Sequence, residues 1–196
     1  MSYILVLYYS EDGSTRNMAH YISQGIAVTG LDSKIRTVPR ISPNIEKTEA
    51  TIPEEGDIYV TKEDFNNCAG IIVGSPTRFG NMAAPLKYFL DQTSDSWFKG
   101  KLVNKPAAFF TSTSTMHGGQ ESTLLSMMIP FLHHGALIVG IPYTEETLNT
   151  TITGGSPYGA THYAGLDSST LISKEEIILC KALGNRVGNI AKQIKY

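Results

Sequence analysis

A doubly wound α/β domain, with a five-stranded parallel sheet and helices on both faces, is the fold this sequence predicts. Five short apolar runs, at residues 4–9, 34–38, 69–74, 106–111 and 136–141, alternate with segments whose apolar residues recur at helical spacing. The first run, from Ile4 to Tyr9, is unbroken rather than alternating, which suits a strand covered on both faces of a sheet. Polar loops containing glycine follow the first, third and fourth runs, where the chain turns from strand into helix.

The elements follow in order. Residues 4–9 feed the turn Ser10-Glu11-Asp12-Gly13-Ser14-Thr15, and Met18, Ile22 and Ile26 then mark the inner side of a first helix. The second strand is polar enough to sit at a sheet edge. Residues 40–60 carry Pro43 and Pro53 with few apolar anchors and read as an excursion over the surface. Thr61-Lys-Glu-Asp64 has the form of a capping box opening a short helix. Ser75-Pro76 reads as the break that ends the third strand. Pro85 suits the first turn of a helix whose Leu86, Phe89 and Leu90 face the sheet and which ends near Asp95, leaving Trp97 and Phe98 in a connector. Leu124, Leu125, Met128, Ile129 and Leu132 form the next helix, with a bend expected at Pro130. Residues 142–172 read as a long polar excursion. Ser173-Lys-Glu-Glu176 is a second capping box, and it opens a last helix with Ile177, Leu183, Val187, Ile190 and Ile194 inward.

Residues 1–196 are enough for one domain that buries roughly two thirds of its unfolded surface. A net charge of −2 without a run of like charges offers nucleic acid no basic stripe. No apolar stretch approaches the roughly 18 residues of a membrane span. The first apolar run follows Met1-Ser2-Tyr3 without a basic residue and ends in Glu11-Asp12, unlike a signal peptide, so the expectation is a cytoplasmic protein without a membrane anchor. The two cysteines, Cys68 and Cys180, show neither C-x-x-C nor metal spacing and read as buried small hydrophobes.

A turn that enters a helix aims free N–H groups and the positive end of the helix dipole outward, making an anion site without a cationic side chain. Ser10, Ser14 and Thr15 add hydroxyls there. The turn has neither the lysine of a nucleoside triphosphate loop nor G-x-G-x-x-G, so a terminal phosphate monoester fits best. An ordinary βα connection rich in helix-capping residues is the simpler alternative. In a doubly wound sheet the loops after strands 1, 3 and 4 open at one edge, which brings Ser10–Thr15 of the first loop to the loops at 76–81 and 112–119. Those two can frame a flat polar ring, and Gly80, Gly118 and Gly119 allow close approach of the main chain.

Val6-Leu7-Tyr8-x-Ser10-x-x-Gly13-x-Thr15 resembles the flavodoxin-family signature, whose members hold the phosphate of FMN in this turn. The resemblance implies strand order 2-1-3-4-5, with FMN between strands 1 and 3, an arrangement for which flavodoxin is itself the standard example. Gly74-Ser-Pro-Thr-Arg-Phe-Gly-Asn-Met82, Phe89-Leu-Asp-Gln-Thr93, Gly118-Gly-Gln-Glu121, His133-His-Gly135 and Gly154-Gly-Ser-Pro-Tyr-Gly-Ala-Thr161 narrow it. Together they resemble the WrbA-type NAD(P)H:quinone oxidoreductases along the whole chain. That resemblance implies a cytoplasmic FMN enzyme, often a homotetramer, that takes hydride from NADH or NADPH and passes two electrons to a quinone.

Carried over, Ser10, Glu11, Asp12, Gly13, Ser14 and Thr15 would bind the phosphate, and Pro76, Thr77, Arg78, Phe79 and Gly80 the ring. Ser112, Thr113, Ser114, Thr115, Met116, His117 and Gly118 would flank the other ring edge, His133 would sit by the flavin and steer a proton, and Trp97 would line the substrate pocket. Two departures stand out. Asp12 and Ser14 replace a tyrosine and a histidine, and the third loop is one residue longer than usual and bulkier at Met116 and His117. His133 can also serve merely as a partner of the helix C-terminal dipole, and Trp97 as a core or subunit contact. A one-electron carrier is the competing function, and it favours an acidic docking face that a charge of −2 does not supply.

Overall fold

The structure, a computed structural model, describes residues 2–41, 53 and 56–194. In chain order it contains β1 (Tyr3–Tyr8), α1 (Ser14–Val28), β2 (Asp32–Thr37), α2 (Lys62–Asn67), β3 (Gly70–Arg78), β4 (Asn81–Met82), α3 (Ala84–Asp91) and α4 (Ser94–Phe98). β5 (Pro106–Thr113), α5 (Gln120–His133), β6 (Leu137–Ile138), α6 (Thr147–Thr150), β7 (Ala160–Tyr163) and α7 (Lys174–Gln193) follow. Parallel pairing runs in the order β2-β1-β3-β5-β6, the expected 2-1-3-4-5 arrangement of five positions. Most of the expected surface excursion at 40–60, with Pro43, lies outside the described residues. Its far end is seen where Tyr59 bridges Thr37 at the sheet edge.

Two cores result from the alternation of side chains along the strands. Leu5, Leu7, Ile71, Val73 and Phe109 point to one face, under Leu86 and Leu90 of α3 and Leu124, Met127 and Phe131 of α5. Ile4, Val6, Ile72, Ala108 and Phe110 point to the other, under Met18, Ile22 and Ile26 of α1 and Leu179, Leu183 and Val187 of α7. A strand that serves both cores cannot carry a polar residue on either side, which is why β1 reads as an unbroken apolar run. Both cysteines are free and buried.

Among the described residues the sheet departs from five strands in two places and has seven. β3 does not stop at Ser75-Pro76 but continues to Arg78 and folds back through β4 as a hairpin. Proline is tolerated because β1 pairs with β3 only as far as Gly74, so the missing N–H of Pro76 breaks no bond to β1. The fifth position is divided between two segments. β6 pairs with Pro106 and Ala107, while β7, from within the expected excursion, pairs with Phe110, Thr111, Ser112 and Thr113. The chain leaves the sheet after Val139, the Ile141 N–H bonding the Pro157 carbonyl at 3.0 Å. It returns at Gly159, where a Cβ would lie 2.1 Å from the Phe109 carbonyl oxygen.

Smaller corrections follow. Trp97 and Phe98 belong to a helix, α4, rather than a connector. α5 runs through Pro130 to His133, and its Leu125, Ile129 and Leu132 are exposed. On α7 the buried apolar side chains are Leu179, Cys180, Leu183, Val187 and Ala191, with Ile177 and Ile190 half-buried and Ile194 past the helix end.

Both capping boxes form. In the first, Thr61 Oγ1 accepts from the Asp64 N–H at 3.1 Å and Asp64 answers at the Thr61 N–H. Asp64 also receives Arg36 Nε at 2.8 Å and Lys34 Nζ at 3.0 Å, pinning the polar edge strand β2 to α2. Burial would raise the Asp64 carboxyl, but Arg36, Lys34 and Thr61 more than offset it and hold it at about 2, below its ordinary 3.8. A depressed carboxylate contributes stability that is complete above its unfolded value and is lost as pH falls toward the folded one. The thermal midpoint should therefore drop between about pH 4 and pH 2. Asp64→Asn should remove that acid limb while costing about 2 kcal/mol at neutral pH; an unchanged acid limb in the variant would refute the assignment.

Candidate functional site

The first turn of α1 is built to leave its amides open. Gly13 is the N-cap at φ 89°, a left-handed conformation that costs glycine little, and no side chain caps the helix. Ser10 Oγ accepts from the Gly13 N–H at 3.1 Å, and the first turn carries no acidic residue. α5 likewise starts from an uncapped glycine, Gly119, at φ 95°. By contrast α2 and α7 satisfy their first amides with capping boxes. The helices whose N-termini face the carboxyl edge of β1 and β5 thus keep donors for a ligand.

Hydroxyl pairs join the loops. Thr15 Oγ1 and Ser112 Oγ are 3.0 Å apart and both residues are buried. Thr77 Oγ1 and Thr123 Oγ1 are 2.7 Å apart, tying the β3–β4 hairpin to α5. At the hairpin tip Phe79 and Gly80 have φ of 54° and 75°, as a two-residue type I′ turn needs. A Cβ on Gly119 would stand 3.0 Å from the Gly80 Cα, so the second and third loops meet at bare backbone.

Between these loops lies a cleft of about 40 Å³, lined by Ser10, Glu11, Asp12, Ser14, Thr15, Pro76, Thr77, Arg78, Ser112, Thr113 and Ser114. Eleven expected residues from three loops therefore converge on one cleft. Its two carboxylates both have partners, Asp12 within the cleft lining itself. Glu11 receives the Tyr9 hydroxyl and lies 3.1 Å from Arg40 Nη2, while Asp12 accepts from Ser168 Oγ at 3.2 Å. Burial, reinforced by Glu11, pushes the Tyr9 hydroxyl up to about 12. Arg78 Nη1 bonds the Thr77 carbonyl at 2.9 Å.

Other expected residues lie outside the cleft lining. Gly13 stands at the N-cap with its N–H given to Ser10 Oγ. Phe79 at the hairpin tip is fully exposed, since a type I′ turn aims its central side chains away from the strands. Thr115, Met116 and His117 are exposed in the longer third loop, and Gly80 and Gly118 are half-buried beside it. His133 and Trp97 stand farther off within the same chain. They touch each other, Trp97 Nε1 donating to the His133 carbonyl at 2.8 Å, and share a separate pocket with Leu90, Thr93 and His134. α5 begins at the cleft and His133 ends it, so at 1.5 Å per residue the histidine stands roughly 20 Å away along the same chain.

Two cleft residues were not foreseen, Ala164 and Ser168, on the segment that follows β7. The glycine-rich stretch ending in Gly159-Ala-Thr161 was the available signal, because glycines that bring backbone against a strand announce a returning strand.

Such a fold and site define a flavodoxin-like α/β protein with a hydroxyl-lined cleft at the β1/β3 switch point. Residues 3–144 match the family described as NADPH-dependent FMN reductase. A protein of Aromatoleum aromaticum named NAD(P)H dehydrogenase (quinone) is 41% identical over 199 aligned positions, covering 97% of this chain and 96% of its own. One of the same name from Gluconacetobacter diazotrophicus is 40% identical, covering 99% of each. Among solved structures, a WrbA-like flavodoxin from Agrobacterium tumefaciens superposes with a TM-score of 0.69 at 22% identity over the full length of both chains, a likeness of fold. The chain belongs to the NADPH-dependent FMN reductase family, together with these quinone dehydrogenases.

Proposed function

We propose that this chain is an FMN-dependent NAD(P)H:quinone oxidoreductase that reduces quinones to hydroquinones by ping-pong exchange at one pocket, as a cytoplasmic homotetramer. The observation that carries the reading is the convergence of open helix amides and paired hydroxyls at the switch point. FMN fits that donor set: a phosphate monoester matches the α1 turn, and the polar edge of a flat ring matches the two backbone-lined loops. When bound, FMN supplies the redox chemistry, taking hydride from NADH or NADPH and passing two electrons to the quinone. Ser10, Ser14 and Thr15 hold the phosphate with the free amides of the first turn of α1, which Gly13 opens. Pro76, Thr77 and Arg78 on one side and Ser112, Thr113 and Ser114 on the other orient the ring. Phe79, Gly80, Thr115, Met116, His117 and Gly118 form the outer rim.

His133 and Trp97 act from a second copy. An exposed apolar stripe at helical spacing, Leu125, Ile129 and Leu132, runs along α5 beside Trp97 and Phe98, as expected for a face covered by another subunit. In the tetramer Trp97 lines the quinone pocket of a neighbour and His133 steers its proton.

The freshly purified protein should carry the FMN visible spectrum and give parallel lines in double-reciprocal plots of NAD(P)H against quinone. Intersecting lines would overturn the single-pocket mechanism, and FMN whose fluorescence is not quenched on titration would overturn the whole reading. Trp97→Ala should raise the quinone KM by roughly tenfold with little effect on FMN affinity, the cost of losing one aromatic contact. An unchanged KM would remove Trp97 from the pocket.

A further inference from the structure

β7 and α7 are held together by a buried pair that nothing in the proposed mechanism uses. His162 Nδ1 lies 2.8 Å from Glu176 Oε2, with both side chains 1% exposed. His162 Nε2 lies 3.2 Å from the Thr170 carbonyl oxygen. This ring orientation sets both nitrogens against oxygen atoms, and turning the ring over would set carbons against them. Glu176 does more than close the capping box at the Ser173 N–H. Its Oε1 also accepts from the Gly154 N–H at 2.8 Å and the Tyr163 N–H at 3.1 Å. Burial works to raise this carboxyl, yet His162 and the backbone donors bring it below the ordinary glutamate value.

The pair grips both ends of the segment that walls the cleft. In the β5–β7 ladder His162 stands opposite Ser112, whose hydroxyl meets Thr15. Two residues on, Ala164 donates its N–H to the Thr113 carbonyl at 2.8 Å, and the Thr170 N–H closes back on the Ala164 carbonyl at 3.0 Å. Between them Ser168, at φ 56°, reaches Asp12 of the phosphate turn.

We propose that His162 and Glu176 are positioning residues for the phosphate end of the cofactor: their bridge fixes residues 164–170 so that Ala164 and Ser168 close the cleft over the α1 turn. The proposal rests on the FMN reading above and adds to it a wall and the residues that set it.

The test compares FMN with riboflavin, which shares the ring but lacks the phosphate, by fluorescence quenching of the apoprotein. His162→Leu removes both ring nitrogens and should raise the FMN dissociation constant about tenfold, the effect expected of losing charge-assisted bonds, with riboflavin unchanged within about twofold. His162→Asn keeps a donor toward Glu176 and should recover most of the FMN affinity. A general loss of stability would not separate the two flavins. Unchanged FMN affinity, or equal weakening of both flavins, would overturn the positioning role while leaving the cofactor reading intact. If His162→Leu does not fold, His162→Asn decides: a smaller rise confined to FMN supports the wall, and no rise overturns it. Wild-type protein that binds neither flavin would overturn the cofactor reading itself.

Discussion

Thr15→Val protein should fold with a thermal midpoint lowered by roughly 2–10 °C and bind FMN roughly 10- to 100-fold more weakly. Valine keeps the shape of a fully buried, β-branched side chain in the first turn of α1, so packing changes little. The hydroxyl is lost in two places at once. A donor to the phosphate disappears, and Ser112 Oγ, itself buried, loses its partner at 3.0 Å. A hydrogen bond to a charged group contributes about 1.5–3 kcal/mol, which sets the range. Titration of the apoprotein, with melting curves run alongside, measures both quantities. FMN affinity within twofold of wild type would mean that the turn does not grip the phosphate through Thr15.

Gly184→Ala should lower stability by about 2–3 kcal/mol, a fall of roughly 4–12 °C in thermal midpoint for a chain of this size. Helix propensity alone argues for the opposite sign, since alanine gains about 1 kcal/mol over glycine within a helix. Sterics decide the outcome. α1 and α7 cross backbone against backbone: a Cβ on Gly184 would stand 2.1 Å from the Ile22 carbonyl oxygen, and one on Gly25 2.1 Å from the Lys181 carbonyl oxygen. Neither obstacle is a movable side chain, so the helices must part and Ile22, Ile26, Leu183 and Val187 lose packing beneath them. A raised or unchanged midpoint in denaturation would show that the crossing is looser than described.

The three central strands were legible because each serves two cores, which forces apolar residues onto both sides of β1, β3 and β5. Both capping boxes were legible because they are local chemistry, a hydroxyl and a carboxylate three residues apart. The convergence of the three loops followed from topology once the strand order was in place. Other features depend on partners distant in the chain. β7 is four residues long and includes threonine and histidine, so its pattern is weak until β5 and Glu176 stand beside it. The tolerance of Pro76 follows from where β1 ends rather than from anything near position 76. The separation of His133 from the cleft follows from helix length: α5 carries it to the far end of the sheet while the phosphate turn stays at the near end.

The divided edge of the sheet bears on how the molecule is made. β6 supports the lower half of β5 and β7 the upper half, so that edge of the sheet is built from two segments about twenty residues apart in the chain. The last strand of the sheet edge and a helix that covers one face both come from the final quarter of the chain, so neither layer is complete until that stretch is in place. A chain cut after Ile138 loses α7 together with β7, and the Ile4, Val6, Ile72, Ala108 and Phe110 face is then left with α1 alone over it, so such a fragment should not keep its fold.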